Sequence, residues 1–208
     1  MNTPPHEPLR IVGICGSLRA VSYTRMALTE ALAGARALGA ETELIDLRHY
    51  ALVFCDGSKQ EAQRAPDVAR LQAQVRAAHG ILLGTPEYHS GYSGVLKNAL
   101  DLMGFEELGG KVMGLVAVSG GGMGAANALN ALRVVGRSLH AWVVPEQVSI
   151  AQASKQFDAA GRAVDADLAE RLHAVGRQVA RFAYLHSSQQ AQEFLRLWET
   201  APANPGGR

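Results

Sequence analysis

LRIVGICGSLRAVSYTRMALTEALAGARALG, residues 9–39, carries the pattern that decides the fold. Residues 9–15 form a short apolar run that ends at Gly16, which reads as a strand. From Ser22 the period changes. Leu28, Ala31, Leu32, Ala35 and Leu38 fall at i, i+3, i+4, i+7 and i+10, one face of a helix, and Gly39 stops it. Between strand and helix lies a loop of glycine, hydroxyl residues and arginine. Such a loop suits an anion, but two common answers are excluded. The glycines stand at 13 and 16 only, so it is not G-x-G-x-x-G, and no Lys-Ser or Lys-Thr pair closes a G-x-x-x-x-G-K-[ST] motif.

The same alternation continues down the chain. Residues 41–46 alternate and read as a strand; residues 47–65 read as a polar loop with an Asp56-Gly57 turn. Pro66 opens a helix whose buried face is Val68, Leu71, Val75 and Ala78. Residues 80–86 read as a buried strand ended by Pro86, and 93–103 as a helix. A strand over 111–119 runs into glycines, followed by a helix to about Leu139. Residues 141–150 form the last strand, with Pro145 marking an edge or a bulge. Leu168, Leu172, Val175, Val179 and Phe182 give a long final helix. Five near-continuous apolar strands alternating with helices predict an α/β fold: a doubly wound, five-stranded parallel sheet in the order 2-1-3-4-5, helices on both faces.

The 208 residues, 48% apolar and 19% charged, suit one globular domain. A net charge of +1 disfavours nucleic acid as a partner. Cys15 and Cys55 form neither a CxxC nor a Cys/His ligand pattern, which suggests reduced thiols in a cytoplasmic protein and no metal site. The leader MNTPPHEP does not read as a signal peptide, and no apolar run approaches the ~20 residues of a membrane span. After Ser187 the chain turns polar except for Phe194, Leu197 and Trp198, which share a helical face. They pack back on the domain or dock on another subunit.

In such a sheet the ligand lies outside the carboxyl ends of the strands, and three unusual loops leave those ends. The first offers Ser17, Ser22 and Thr24 hydroxyls, the Arg19 fork and a helix N-terminus, which together suit a phosphate monoester; Ser22 equally suits a helix cap. The second, TPEYHSGYSG (85–94), offers a rigid wall for a flat ring; Glu87 and His89 read either as an acid/base pair or as a local cap and a wall residue. The third, SGGGMGAAN (119–127), brings backbone N–H groups close to a ligand. Their order fits a mononucleotide with a large aromatic end.

GSLR (16–19) with Ser22 and Thr24, followed by PEYHSGYSGVLKNALD (86–101), resembles the NADPH-dependent FMN reductase family, with its azobenzene, quinone and chromate reductases of flavodoxin-like fold. The resemblance covers roughly residues 9–185 and implies a flavodoxin-like FMN-binding domain over 1–186 with a tail over 187–208. It implies FMN as cofactor and NADPH as co-substrate. The phosphate would lie on Ser17, Arg19, Ser22 and Thr24. The ring would rest against Pro86, Glu87, Tyr88, His89 and Ser90, and Ser119, Gly120 and Gly121 would border its polar edge. Thr24 and His89 stand where relatives often carry Asn. The resemblance further implies a small-molecule electron acceptor (free flavin, a quinone, an azo compound or chromate) and a homodimer or homotetramer, for which the stripe Leu96, Leu100 and Met103 with Phe105 just beyond is a candidate surface. No side chain is assigned a catalytic role. Two rivals remain at this point. One is a flavodoxin-type electron carrier, against which the missing acidic surplus speaks. The other is a serine hydrolase using Ser119 with His140 or His173 as base.

Overall fold

The computed structural model describes residues 9–58 and 60–203, so the leader reading on residues 1–8 and the end of the tail, 204–208, lie outside the described residues. In chain order the elements are β1 (Arg10–Cys15), α1 (Tyr23–Arg36), β2 (Glu41–Asp46), α2 (Glu61–Arg64), α3 (Pro66–Ala77), β3 (Gly80–Tyr88), β4 (Gly91–Tyr92) and α4 (Gly94–Asp101). They continue with α5 (Phe105–Leu108), β5 (Val112–Val118), α6 (Ala126–Ser138), β6 (Trp142–Ile150), α7 (Ala166–Ser187) and α8 (Gln189–Glu199). The sheet runs β2-β1-β3-β5-β6 with every neighbour parallel. That is the expected 2-1-3-4-5 order; the two-residue β4, antiparallel to β3, is the addition.

The three central strands β1, β3 and β5 are apolar on both sides because both sheet faces are covered. On one face α1 and α7 bring Leu28, Ala31, Leu172, Val175 and Val179 onto Leu82 and Val116. On the other, α3, α4 and α6 bring Leu71, Val75, Leu96, Leu100, Leu129 and Leu132 onto Ile14, Ile81 and Leu83. The helices α1 and α7 cross backbone to backbone. A Cβ on Gly176 would fall onto the Ala31 carbonyl oxygen, and one on Gly34 onto the His173 backbone, so glycine alone permits this approach. Beside the crossing, His173 Nε2 meets Glu30 Oε2 at 3.0 Å.

Several sequence-based expectations are corrected here. Pro86 does not end its strand. It pairs in register with Val118, and the strand runs on to Tyr88 because Glu87 and Tyr88 find antiparallel partners in Tyr92 and Gly91. The segment 47–65 is not wholly loop: it holds a 3-10 turn over Leu47–His49 and the short α2. Phe182 faces outward at 37% exposure, and Ala180 and Ala183 take the buried face instead. Leu96, Leu100 and Met103 are buried in the core and form no surface for a partner; Phe105 is exposed but stacks on His140 at 4.5 Å. Pro145 does sit on an edge strand at an irregularity, where the register shifts between Met113 and Leu115. Among the described residues of the tail, α8 has no buried residue, and Phe194, Leu195, Leu197 and Trp198 are all exposed.

Candidate functional site

The carboxyl ends of β1, β3 and β5 open into three loops at one end of the sheet, and buried hydrogen bonds tie the first two together. The Gly16 N–H donates to the Gly84 carbonyl at 2.8 Å. Ser93 Oγ donates to the Gly16 carbonyl at 2.6 Å while accepting from the Leu96 N–H at 3.2 Å as the N-cap of α4. The Ser93 N–H donates to Thr85 Oγ1 at 2.9 Å, and that hydroxyl donates to the Pro86 carbonyl at 2.8 Å. Ser93 and Thr85 are both buried. Each group in this chain is satisfied, so the two loops hold one fixed relation. Neither Thr85 nor Ser93 was singled out from sequence as a positioning residue, because their partners lie far along the chain.

The first loop turns its amides away from the protein. The Arg19 N–H bonds Ser17 Oγ at 3.4 Å, and the Arg25 N–H bonds Ser22 Oγ at 3.2 Å. Ser22 is therefore the N-cap of α1, as one of the two sequence readings had it. The amides of Ser17, Leu18, Ala20, Val21, Ser22, Tyr23 and Thr24 have no protein acceptor among the described residues. Buried amides are normally paired, and Ser17, Ser22 and Thr24 are buried residues. Such a row of free N–H groups at the start of a 14-residue helix is an anion cradle. Arg19 is exposed beside it.

Beneath this loop lies a charged cluster that spacing did not reveal. Arg25 Nε meets Asp46 Oδ2 at 2.7 Å, and Arg48 Nη2 meets the same oxygen at 2.9 Å. Burial pushes the Asp46 carboxyl up, but hydrogen bonds from Arg48 and Arg25 outweigh it and hold the group below its ordinary range. Cys15, at the end of β1, is fully buried, and burial pushes its thiol up. It is an inert packing residue, as read from sequence.

The second loop is a tight hairpin. His89 and Ser90 both take left-handed backbone angles, φ 50° and 62°, between the paired Tyr88 and Gly91. That is the pattern of a type I′ turn, and neither residue is the glycine or asparagine it prefers. Glu87 Oε2 accepts from the Ala128 N–H at 2.9 Å, so this carboxylate caps α6, whose own N-cap Ala125 has no side chain to offer. Of the two readings of Glu87, the structure shows a cap, given to a helix 41 positions along the chain.

The third loop closes the site. Ser119 Oγ accepts from the Gly121 N–H at 3.1 Å, and the Gly121 carbonyl accepts from the Gln152 N–H at 2.9 Å. Gly124 is required by the protein itself: its φ is +76°, and a Cβ there would lie 2.7 Å from Ser149 Oγ. Gly120 is different, since a Cβ there meets nothing within 4 Å. All three loops expose apolar side chains: Leu18 and Val21, Tyr88, and Met123. The structure thus brings all twelve sequence-named site residues to one end of the sheet. The hydrolase constellation does not assemble. His140 precedes β6 at the opposite end of the sheet from Ser119, and His173 is paired to Glu30. Among the described residues no group of three or more His, Cys, Asp or Glu could hold a metal ion, and no helix is long and apolar enough to cross a membrane.

A family model described as NADPH-dependent FMN reductase matches residues 9–155. The chain is 33% identical over 187 residues to the NADPH-dependent FMN reductase ArsH of Shigella flexneri, covering 88% of this chain and 71% of that one. It is 36% identical over 172 residues to the NAD(P)H-dependent FMN reductase PA1204 of Pseudomonas aeruginosa, covering 76% and 86%. Among solved structures, the flavoenzyme NAD(P)H:(acceptor) oxidoreductase FerB from Paracoccus denitrificans superposes with a TM-score of 0.71 at 22% identity, covering 86% of this chain and 98% of that one, a likeness of fold.

Proposed function

The chain belongs to the NADPH-dependent FMN reductase family and is an FMN-dependent NAD(P)H oxidoreductase, and from that premise we propose which of its atoms hold the cofactor and what it reduces. The observation that carries the assignment is the row of unpaired amides over Ser17–Thr24, fixed to the second loop by the Gly16–Ser93–Thr85 hydrogen bonds. Those amides, the Ser17, Ser22 and Thr24 hydroxyls and the Arg19 guanidinium take the flavin phosphate. A phosphate monoester suits such a set of N–H, hydroxyl and guanidinium donors. Pro86, Glu87, Tyr88, His89 and Ser90 take one side of the ring. Because the Glu87 carboxylate is committed to α6, its share of that contact falls to its backbone. Ser119, Gly120 and Gly121 take the polar edge, and the open space at Gly120 gives a ligand room to approach the backbone.

Bound FMN supplies a two-electron carrier between NADPH and an acceptor. The protein's own part is to bind, orient and expose. The Gly16–Ser93–Thr85 bonds set the distance between phosphate and ring subsites. The type I′ hairpin fixes the wall. No side chain is assigned a proton-transfer role, since water reaches this open edge. The acceptor is a small flat or compact oxidant: free flavin, a quinone, an azo compound or chromate. A flavodoxin-type carrier fits less well, because such carriers dock by charge and this chain has a net charge of only +1. We assign self-association to the tail over 187–208, where the exposed face of Phe194, Leu197 and Trp198 supports a helix-mediated dimer or tetramer; a Trp198→Ala change then lowers the mass measured by light scattering.

The test of function is steady-state turnover. Purified protein should carry or take up FMN, show a flavin band that NADPH bleaches, and oxidise NADPH continuously with a small acceptor and no added reductase. A protein that binds no FMN, or that bleaches once without turnover, overturns this reading. The phosphate assignment has its own check: Arg19→Ala should weaken FMN binding at least tenfold while leaving the thermal transition in place.

A further inference from the structure

The Arg25–Asp46–Arg48 cluster lies below the phosphate loop, and its guanidiniums bond the loop's carbonyls. Arg25 Nη2 donates to the Arg19 carbonyl at 3.1 Å, and Arg25 Nη1 to the Ala20 carbonyl at 3.1 Å. Its Nε is spent on Asp46 Oδ2 at 2.7 Å. Arg48 Nη1 stands farther off, 3.5 Å from the same Ala20 carbonyl, while Arg48 Nη2 and Nε both engage Asp46 Oδ2, at 2.9 and 3.1 Å. Asp46 Oδ1 accepts from the Arg48 N–H at 3.2 Å. His49 Nε2 is 3.8 Å from Asp46. Asp46 is 8% exposed, and its one carboxylate serves two guanidiniums.

We infer that Arg25, anchored by Asp46 and braced by Arg48, is a positioning residue for the cofactor phosphate: it draws the Arg19 and Ala20 carbonyls down so that the Ala20 and Val21 N–H groups point up into the anion cradle. The inference rests on the phosphate reading of this loop. In a planar trans peptide the carbonyl and the N–H of one unit point in opposite directions, and the described chain has no cis peptide. Binding the Arg19 carbonyl from below therefore turns the Ala20 N–H upward, and binding the Ala20 carbonyl does the same for the Val21 N–H. Both amides lack a protein acceptor among the described residues. Left alone, a loop with neighbouring carbonyls and amides free to rotate presents oxygen as readily as N–H to a dianion. The clamp removes that choice before the ligand arrives, which is preorganisation. It also leaves the cluster with one uncompensated positive charge beneath the site, which attracts phosphate and favours it over an uncharged terminus.

A lysine cannot replace this arginine. Three nitrogens of one rigid fork reach Asp46 and two carbonyls at once, whereas a single ammonium is a point donor on a flexible stem.

The experiment compares FMN with riboflavin, which has the same ring and lacks the phosphate. Dissociation constants of both are measured for the apoprotein and for Arg25→Lys. The expected result is an FMN affinity at least tenfold weaker with riboflavin affinity changed less than twofold. A purely structural role for Arg25 lowers both affinities together, and that outcome, or no change in either, overturns the clamp. Should Arg25→Lys not fold, Asp46→Asn takes its place, with an expected loss of at least threefold in the FMN-to-riboflavin ratio; an unchanged ratio there also overturns it. Arg19→Ala separates the two layers of the argument. If that variant shifts the ratio and the Arg25 and Asp46 variants do not, the clamp fails and the phosphate site stands. If Arg19→Ala leaves the ratio unmoved, the phosphate reading itself fails.

Discussion

The first loop and the glycine loop use the same residue type for opposite reasons. At Gly16 the protein itself forbids a side chain: a Cβ would lie 2.7 Å from Leu96 Cβ and 3.0 Å from both the Gly84 carbonyl and Ser93 Oγ. At Gly120 nothing in the protein lies within 4 Å of that position. One glycine is demanded by internal packing and the other is not. The lesson is that glycine-rich ligand sites mix structural and ligand-facing positions, and that packing around each Cα separates them where sequence does not.

The largest effect expected is that of Gly16→Ala. Its neighbours are the Leu96 Cβ, the Gly84 carbonyl and the Oγ of Ser93, the residue that caps α4, so little can yield, and overpacking costs about 2 kcal/mol. For a chain of this size that lowers Tm by roughly 4–8 °C. It also moves the first loop relative to the second, so FMN affinity falls at least tenfold. Calorimetry and FMN titration on the same variant measure both. A stable Gly16→Ala that binds FMN normally breaks the comparison at its first term.

Gly120→Ala is the converse. Stability should stay within about 0.5 kcal/mol of the parent, as for an uncongested surface position. FMN affinity or turnover with a bulky acceptor should drop roughly fivefold, about 1 kcal/mol of binding. If Gly120→Ala instead lowers Tm and leaves both properties alone, the glycine has a structural role and the comparison is wrong at its second term.

Acid sharpens the contrast between the two loops, because only the first rests on an ion cluster. The Asp46 carboxyl is held below its ordinary value of 3.8 by Arg48 and Arg25 against the opposing effect of burial. A depressed carboxyl contributes stability that is complete above the unfolded-state value and is lost as pH falls through the folded-state one. The Tm of the apoprotein should therefore decline below about pH 4, and Asp46→Asn should flatten that decline. An acid limb of equal slope in both proteins removes Asp46 from the explanation.

Fold and site differed in how far the sequence exposed them. Period alone placed β1, α1, β2, α3, β5 and α7, because each is a local pattern repeated over many residues. Ser22 as a cap and Pro145 at an edge irregularity were also legible, since both are local rules. The links between loops were not. Ser93 meets Gly16 across 77 positions, and Glu87 meets Ala128 across 41; nothing in spacing announces either. Pro86 misled for a related reason. A proline reads as a strand end until a partner strand accepts the residues beyond it, and β4 supplies that partner. The stripe Leu96, Leu100 and Met103 read equally well as core or interface from one chain, and only the packing of α4 against the sheet decides for core. Arg25 stood in the first stretch read, yet its role needed Asp46, 21 positions on.

The smallest expected effect lies in the hairpin between these two loops. His89 and Ser90 hold φ of 50° and 62° where the type I′ turn favours Asn and Gly. Left-handed backbone at such residues costs of order 1 kcal/mol each, so the double change His89→Asn and Ser90→Gly should raise stability by about 1 kcal/mol, or roughly 2–4 °C in Tm. The gain should appear in the apoprotein, since it comes from the turn alone. A drop in Tm shows that the His89 or Ser90 side chain makes a contact worth more than the strain. The hairpin would then resemble Gly16, a position set by the protein, and not Gly120, a position that internal packing leaves unconstrained.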